Sequence, residues 1–276
     1  MNNLTLSNVC LSTGRVDLHD ISLELKEGES IGIIGDSAAV NSAVASVITG
    51  MIKPDSGTVA MFENPISKQT IQALGYVYSG FPFTGSLTLD DIDSIFSGIY
   101  ERWNKSTFYG CCHKFSIQKK IAFKGFSAIM QRKLLLAIAV SHATRLLVID
   151  DAFSDISGGM DDEITGVISE FLRHNPLRSM VITAQTTAGL SGLVNRYLFI
   201  KGGTAILAFT QDELEKTLCL AECELCSDRA DSARYIFGSA GEDRVTVLTE
   251  RKNLPDDYKT YTPTLEEIQT LIGGCI

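Results

Sequence analysis

Residues 35–42 read Gly35-Asp36-Ser37-Ala38-Ala39-Val40-Asn41-Ser42. A glycine, five intervening positions, a polar residue and a hydroxyl form the outline of the phosphate-cradling loop G-x-x-x-x-G-K-[ST]. Gly35 and Ser42 match it, while Val40 stands where the second Gly belongs and Asn41 where the Lys belongs. Gly at the sixth position lets the backbone turn its N–H groups onto phosphate oxygens. A β-branched Val resists positive φ. Asn41 is neutral and shorter than Lys. Losing a charge-assisted hydrogen bond costs about 1.5–3 kcal/mol, or about 10- to 150-fold in affinity. Asp36 adds a negative charge close to where phosphates would lie. Ser42 can still touch Mg²⁺, and a helix N-terminus here still offers a favourable dipole.

The elements around this loop suit it. Ser30-Ile31-Gly32-Ile33-Ile34 is continuously apolar, as in a strand buried on both faces. Residues 43–50 read as a helix closed by Gly50, with Pro54 beyond, so the order is strand, loop, helix. Upstream, residues 4–9 and 21–25 alternate apolar and polar, as strands do. Downstream, residues 58–61 and 75–78 read as strands. Residues 89–142 are mainly helical, with one stripe from Ile92, Ile95, Phe96 and Ile99 and another over residues 134–140. Leu146-Leu147-Val148-Ile149 is a second buried strand ending in Asp150-Asp151. Residues 163–172 form an amphipathic helix, and Met180-Val181-Ile182-Thr183 a third buried strand. Residues 197–200 and 205–208 flank Lys201-Gly202-Gly203-Thr204 as a hairpin. Alternating buried strands and helices argue for an α/β fold with a parallel core sheet. Residues 211–224 read as a helix. Beyond them, 235–237 and 245–248 read as strands of a small separate unit, and Pro263-Thr264-Leu265-Glu266-Glu267 starts a helix with a capping box.

Bulk properties narrow the function. The 276 residues carry a net charge of −9 without a Lys/Arg cluster, which argues against nucleic acid as a partner. No apolar run is long enough to span a bilayer, and no secretion signal opens the chain. The expected location is the cytosol, with any membrane link made through a partner. Seven cysteines, an odd number, argue against a disulfide framework. Cys219, Cys223 and Cys226 have the spacing of a radical-SAM iron–sulfur motif, and three thiolates could also bind zinc. Positions i, i+4 and i+7 also make one helix face, and small apolar packing is the favoured reading. Cys111-Cys112-His113 reads as half-buried helix, His142 as structural, and Asp161-Asp162-Glu163 as an acidic helix start.

The order and spacing of these segments resemble the nucleotide-binding subunit of an ATP-binding-cassette (ABC) transporter, most closely those of bacterial ABC-2-type exporters, over residues 1–215. The resemblance implies a P-loop NTPase α/β fold: a mixed sheet core, an antiparallel β subdomain, a helical subdomain near residues 80–142 and a small C-terminal α+β appendage at 216–276. It implies Mg-ATP as ligand, a transmembrane permease as partner, and a homodimer or a heterodimer with another such subunit. Residue by residue, it puts Thr13 where an aromatic stacks on adenine, a contact worth about 1–3 kcal/mol by analogy with base stacking. Residues 35–42 become Walker A, with Ser42 and Asp150 on the metal. Ser79 takes the place of the γ-phosphate-sensing Gln, and residues 100–104 belong to the region that receives a permease helix. The signature is Phe126-Ser127-Ala128-Ile129-Met130, with Ser127 kept and Ile129 in place of Gly. Lys124-Gly125 is a rival register that needs an inserted turn. Asp151 replaces the Glu that polarises the attacking water, a displacement of about 1 Å that can cost on the order of 100-fold. Ser157 replaces an Asp that reaches across the dimer, and Gln185 the switch His. Such a site is composite between two chains, and both halves are altered here, so weak or absent hydrolysis is the favoured reading over an efficient ATPase.

Overall fold

The computed structural model describes residues 1–150, 161–224, 235–237, 244–254 and 259–274. Strands β1 (Asn2–Ser12) and β2 (Asp17–Lys26) form an antiparallel pair. Next come β3 (Ser30–Gly35), α1 (Ala38–Thr49), β4 (Ser56–Met61), β5 (Asn64–Pro65), the short α2 (Lys68–Ile71) and β6 (Leu74–Val77). Three helices, α3 (Leu89–Ile99), α4 (Lys105–Lys114) and α5 (Ala128–Ala139), lead to β7 (Leu146–Asp150). Then α6 (Asp162–His174), β8 (Ser179–Ala184), β9 (Arg196–Lys201) and β10 (Thr204–Thr210) complete the main sheet. Its order is β5-β4-β1-β2-β10-β9-β3-β8-β7-β6. The run β9-β3-β8-β7-β6 is parallel and β1, β2, β4 and β5 are antiparallel, which makes the sheet mixed.

Burial on both faces explains the uninterrupted apolar strands. Ile31 and Ile33 of β3, Leu146 and Val148 of β7 and Val181 of β8 pack with α1 residues Val44, Val47 and Ile48 in one core. The intervening Ile34, Leu147, Ile149, Met180 and Ile182 face a second core with Leu134, Ala137, Ile164 and Ile168 of α5 and α6. Helix α1 ends as expected, with Gly50 in the left-handed region at φ 75°, which suits a residue without Cβ. In α3, Ile92 is fully buried, but Ile95 and Ile99 are 41% and 53% exposed, so the expected apolar stripe is only partly covered. Among the described residues no helix is long and apolar enough to cross a membrane.

The structure corrects the reading of residues 211–224. Only Gln211–Lys216 is helical (α7), closed at its start by a Thr210–Glu213 capping box. Leu218–Glu224 is a strand, β11, in a second sheet of order β12-β13-β11-β14 with β12 (Tyr235–Phe237), β13 (Arg244–Glu250) and β14 (Thr260–Tyr261). Leu218 and Leu220 join the main core, while Cys219 and Ala221 pack with Val245, Val247 and Leu254. A strand buried on both sides shows no alternation, so periodicity alone could not separate it from a helix. Cys219 and Cys223 therefore lie on a strand rather than a helix face, and Cys226 lies outside the described residues. The last helix, α8 (Leu265–Gly274), carries the expected capping box: Thr264 N–H donates to Glu267 at 2.8 Å and Glu267 N–H to Thr264 Oγ1 at 3.2 Å. Ile268 and Ile272 of α8 enter the main core.

Candidate functional site

Parallel strands β3, β7 and β8 end side by side, and their carboxyl ends carry the loop, Asp150 and the segment of Gln185. The chain leaves β3 at Gly35 and turns through Asp36 and Ser37 into α1. Ser37 is the N-cap, its Oγ accepting from Val40 N–H at 3.3 Å. The helix therefore begins earlier than expected, and Val40 lies in its first turn, outside the set of positive-φ residues. The anticipated backbone strain at Val40 is absent. Its side chain is instead 6% exposed and part of the α1 core. Ala38 and Ala39 are exposed. As the first residues of a helix, their amides have no intrahelical acceptor.

Asn41 does more than lack a charge. Its side chain is fully buried and turned back under the loop, where Oδ1 accepts from Gly35 N–H at 3.0 Å. Gly35 fits this approach because it has no Cβ, which would lie 2.4 Å from Asn41 Oδ1. The other end of the amide, Nδ2, is buried without a hydrogen-bond partner, a costly arrangement that asks for an explanation. Asp36 also turns aside, accepting from Gly202 N–H at 2.7 Å while its own N–H donates to Ile200 O at 3.2 Å.

Ser42 and Asp150 meet. Ser42 Oγ lies 3.1 Å from both carboxylate oxygens of the fully buried Asp150. Thr183 Oγ1 on β8 donates to Asp150 at 3.3 Å and the Tyr76 hydroxyl on β6 at 3.4 Å. Burial, and then the charge of Asp150, push the Tyr76 phenol far above its usual range, so it remains a donor. Sequence reading did not assign Tyr76 or Thr183 to the site, although Thr183 was visible as a lone hydroxyl in a buried apolar run. Asp151 and Ser157 lie outside the described residues.

The remaining candidates are dispersed. Ser127 is exposed at the N-cap of α5, with its Oγ 3.4 Å from Met130 N. The rival Lys124-Gly125 lies in a separate 3₁₀ turn. Ser79 is half-buried just beyond β6, and α5 reaches its neighbour: Arg132 Nη1 donates to Tyr78 O at 2.9 Å. Thr13 is exposed, with its hydroxyl 3.2 Å from Val16 N in its own turn. Gln185 follows β8, and its carbonyl accepts from Gln269 Nε2 of α8 at 2.7 Å. Gln269 Oε1 in turn accepts from Thr187 N–H at 2.9 Å and from Thr187 Oγ1 at 3.1 Å. No local sequence signal marked Gln269, which acts across 84 positions.

The groups set aside have structural partners. His142 is buried, stacked on Tyr100 with ring centroids 3.8 Å apart, and burial lowers its pKa to about 4. Burial likewise raises the Cys111 and Cys112 thiols to about 11 and 12. Asp161 is the N-cap of α6 and pairs with Lys133 of α5 at 3.1 Å.

A strand–loop–helix whose terminal hydroxyl meets a strand-end carboxylate, set in a mixed sheet, defines a P-loop NTPase α/β fold. Residues 18–154 match the ABC transporter family. A probable ABC transporter ATP-binding protein of Azorhizobium caulinodans is 24% identical over 206 residues, covering 70% of this chain and 72% of that protein. The solved structure of an ATP-binding subunit of an ABC transporter aligns with TM-score 0.66 at 16% identity, over 77% of this chain and 92% of that one. A dimeric ATP-binding cassette in a post-hydrolysis state, bound to ADP and Pi, aligns with TM-score 0.62 at 17% identity, over 75% of this chain and 98% of that one. The chain carries an ABC transporter ATP-binding domain.

The residues fit the family's Mg-ATP only in part. Ser42 and Asp150 form a donor set suited to a hard divalent cation. The cation position does not fit: Asn41 is neutral, and its buried side chain bonds the Gly35 N–H rather than reaching over the loop.

Proposed function

We propose that this ABC transporter ATP-binding subunit comes from the exporter branch of ABC-2 type and that its ATP hydrolysis is weak or absent. The observation that carries the reading is the Asn41–Gly35 hydrogen bond of 3.0 Å, which locks the neutral residue at the cation position under the loop. Residues 1–215 would form the nucleotide-binding unit and 216–276 the appendage. The subunit would pair with itself or with a competent relative, because Ser127 and the α5 N-terminus are exposed as a composite site requires. Exposed Ile95 and Ile99 on α3 support a docking face for the permease, which would hold the protein at the inner face of the membrane.

The intact Ser42–Asp150 contact favours a second reading, a slow ATPase whose turnover would depend on Asp151 and Gln185. Steady-state phosphate release by the purified chain, alone and with its partner, separates the two. A non-catalytic subunit gives background release that Asp151→Asn leaves unchanged. Turnover abolished by Asp151→Asn would establish the slow ATPase.

A further inference from the structure

On the face formed by α4, α6 and the end of α5 lies a cleft of about 350 Å³. Its polar lining includes Asn104 and Lys114 at the two ends of α4, together with His174 and Arg178. Glu170 is the carboxylate in this lining, and its charge is met by an ion pair with Lys114. His174 Nδ1 lies 2.7 Å from Glu170 O and donates to it, which leaves Nε2 with no hydrogen bond to the described residues.

Arg178 is the informative group. Its Nη1 donates to Phe171 O at 2.6 Å, and its guanidinium lies over the Phe171 ring at 4.1 Å. Neither partner carries a charge. Its Nε is buried without a hydrogen-bond partner, and Arg178 takes part in no ion pair among the described residues. Burial draws its pKa down, in keeping with a cation short of compensation. Leaving a partly desolvated guanidinium without a counter-ion is costly, and the planar fork of Arg matches carboxylate and phosphate oxygens. The cleft also has room: nothing lies within 4 Å of where a Cβ on Gly110 would stand. Val140, Val167 and Phe171 supply an apolar wall.

We infer that this cleft is a binding site for a small organic oxyanion, with a carboxylate or phosphate group on Arg178 and an apolar body against Val140 and Phe171. The site is separate from the P-loop and does not depend on whether that loop binds nucleotide.

The test titrates the full chain with benzoate and with phenyl phosphate, followed by ligand-observed NMR and calorimetry. At least one probe should bind saturably at millimolar concentration or below. Arg178→Gln should weaken it about tenfold or more, the loss of one charge-assisted hydrogen bond. Gly110→Leu, which fills the cleft on a helix and leaves every charge in place, should abolish binding. Ser42→Ala should leave it unchanged. Benzoate binding alone would assign a carboxylate ligand, and phenyl phosphate binding alone a phosphate ester. The inference is overturned if neither probe binds the wild type, if binding survives Gly110→Leu, or if Ser42→Ala removes it. Should Arg178→Gln fail to fold, the Gly110→Leu result decides.

Discussion

Replacing Asn41 by Lys restores the missing cation, and the surroundings of Asn41 determine the consequences. The Asn41 side chain is fully buried with Oδ1 on Gly35 N–H at 3.0 Å. A Lys cannot keep its ammonium there without a partner, so it must swing toward the loop mouth. Uncovering the Gly35 amide costs about 1–3 kcal/mol. Removing the unpartnered Nδ2 returns a similar amount, so net stability should change by only about 1 kcal/mol. The affinity for Mg-ATP should rise by about 1.5–3 kcal/mol, or about 10- to 150-fold. Val40→Gly is not needed for this effect, because Val40 already has helical backbone and a core side chain. Adding it would cost about 3 kcal/mol from lost burial and helix propensity. The assay pairs calorimetric titration of Mg-ATP with urea unfolding of wild type and Asn41→Lys. A folded Asn41→Lys protein with unchanged affinity would refute the reasoning, because the missing cation would then not limit binding.

Two further outcomes rest on neighbouring parts of the fold. Burial lowers the His142 pKa to about 4 from an ordinary 6.5, so the unfolded chain takes up a proton first as pH falls. Stability should drop by about 3 kcal/mol between pH 6.5 and pH 4, and urea midpoints across that window should fall less steeply in His142→Gln. Gln269→Ala removes the hydrogen bonds that hold Gln185 and Thr187, each worth about 0.5–1.5 kcal/mol. Hydrogen exchange at the Thr187 amide should accelerate about tenfold or more while β3 amides keep their protection.

The parallel strands and the loop between β3 and α1 were legible because continuous apolar runs of that length have few other homes. Ser42 and Asp150 were legible as a pair only through the resemblance to the family's motifs, since nothing in the spacing of two residues 108 positions apart brings them together. What Asn41 does was not: spacing showed the lost charge but not the inward rotamer or the capped Gly35 amide. The same limit concealed β11, since burial on both faces erased its alternation. It also concealed Gln269, whose partners lie far away in the chain. Ile95 and Ile99 illustrate the converse, since an apolar stripe at helical spacing promised burial that the described chain only partly supplies.

The residue at the cation position is locked under the loop, with Asn41 Oδ1 on the Gly35 N–H. The decisive experiment is a crystal of the wild-type protein grown with millimolar Mg-ATP. Asn41 Oδ1 should remain on the Gly35 amide, at about the present 3.0 Å, with no ordered triphosphate over α1. A triphosphate seated on the loop, with magnesium between Ser42 and Asp150 and Asn41 displaced from Gly35, would contradict it.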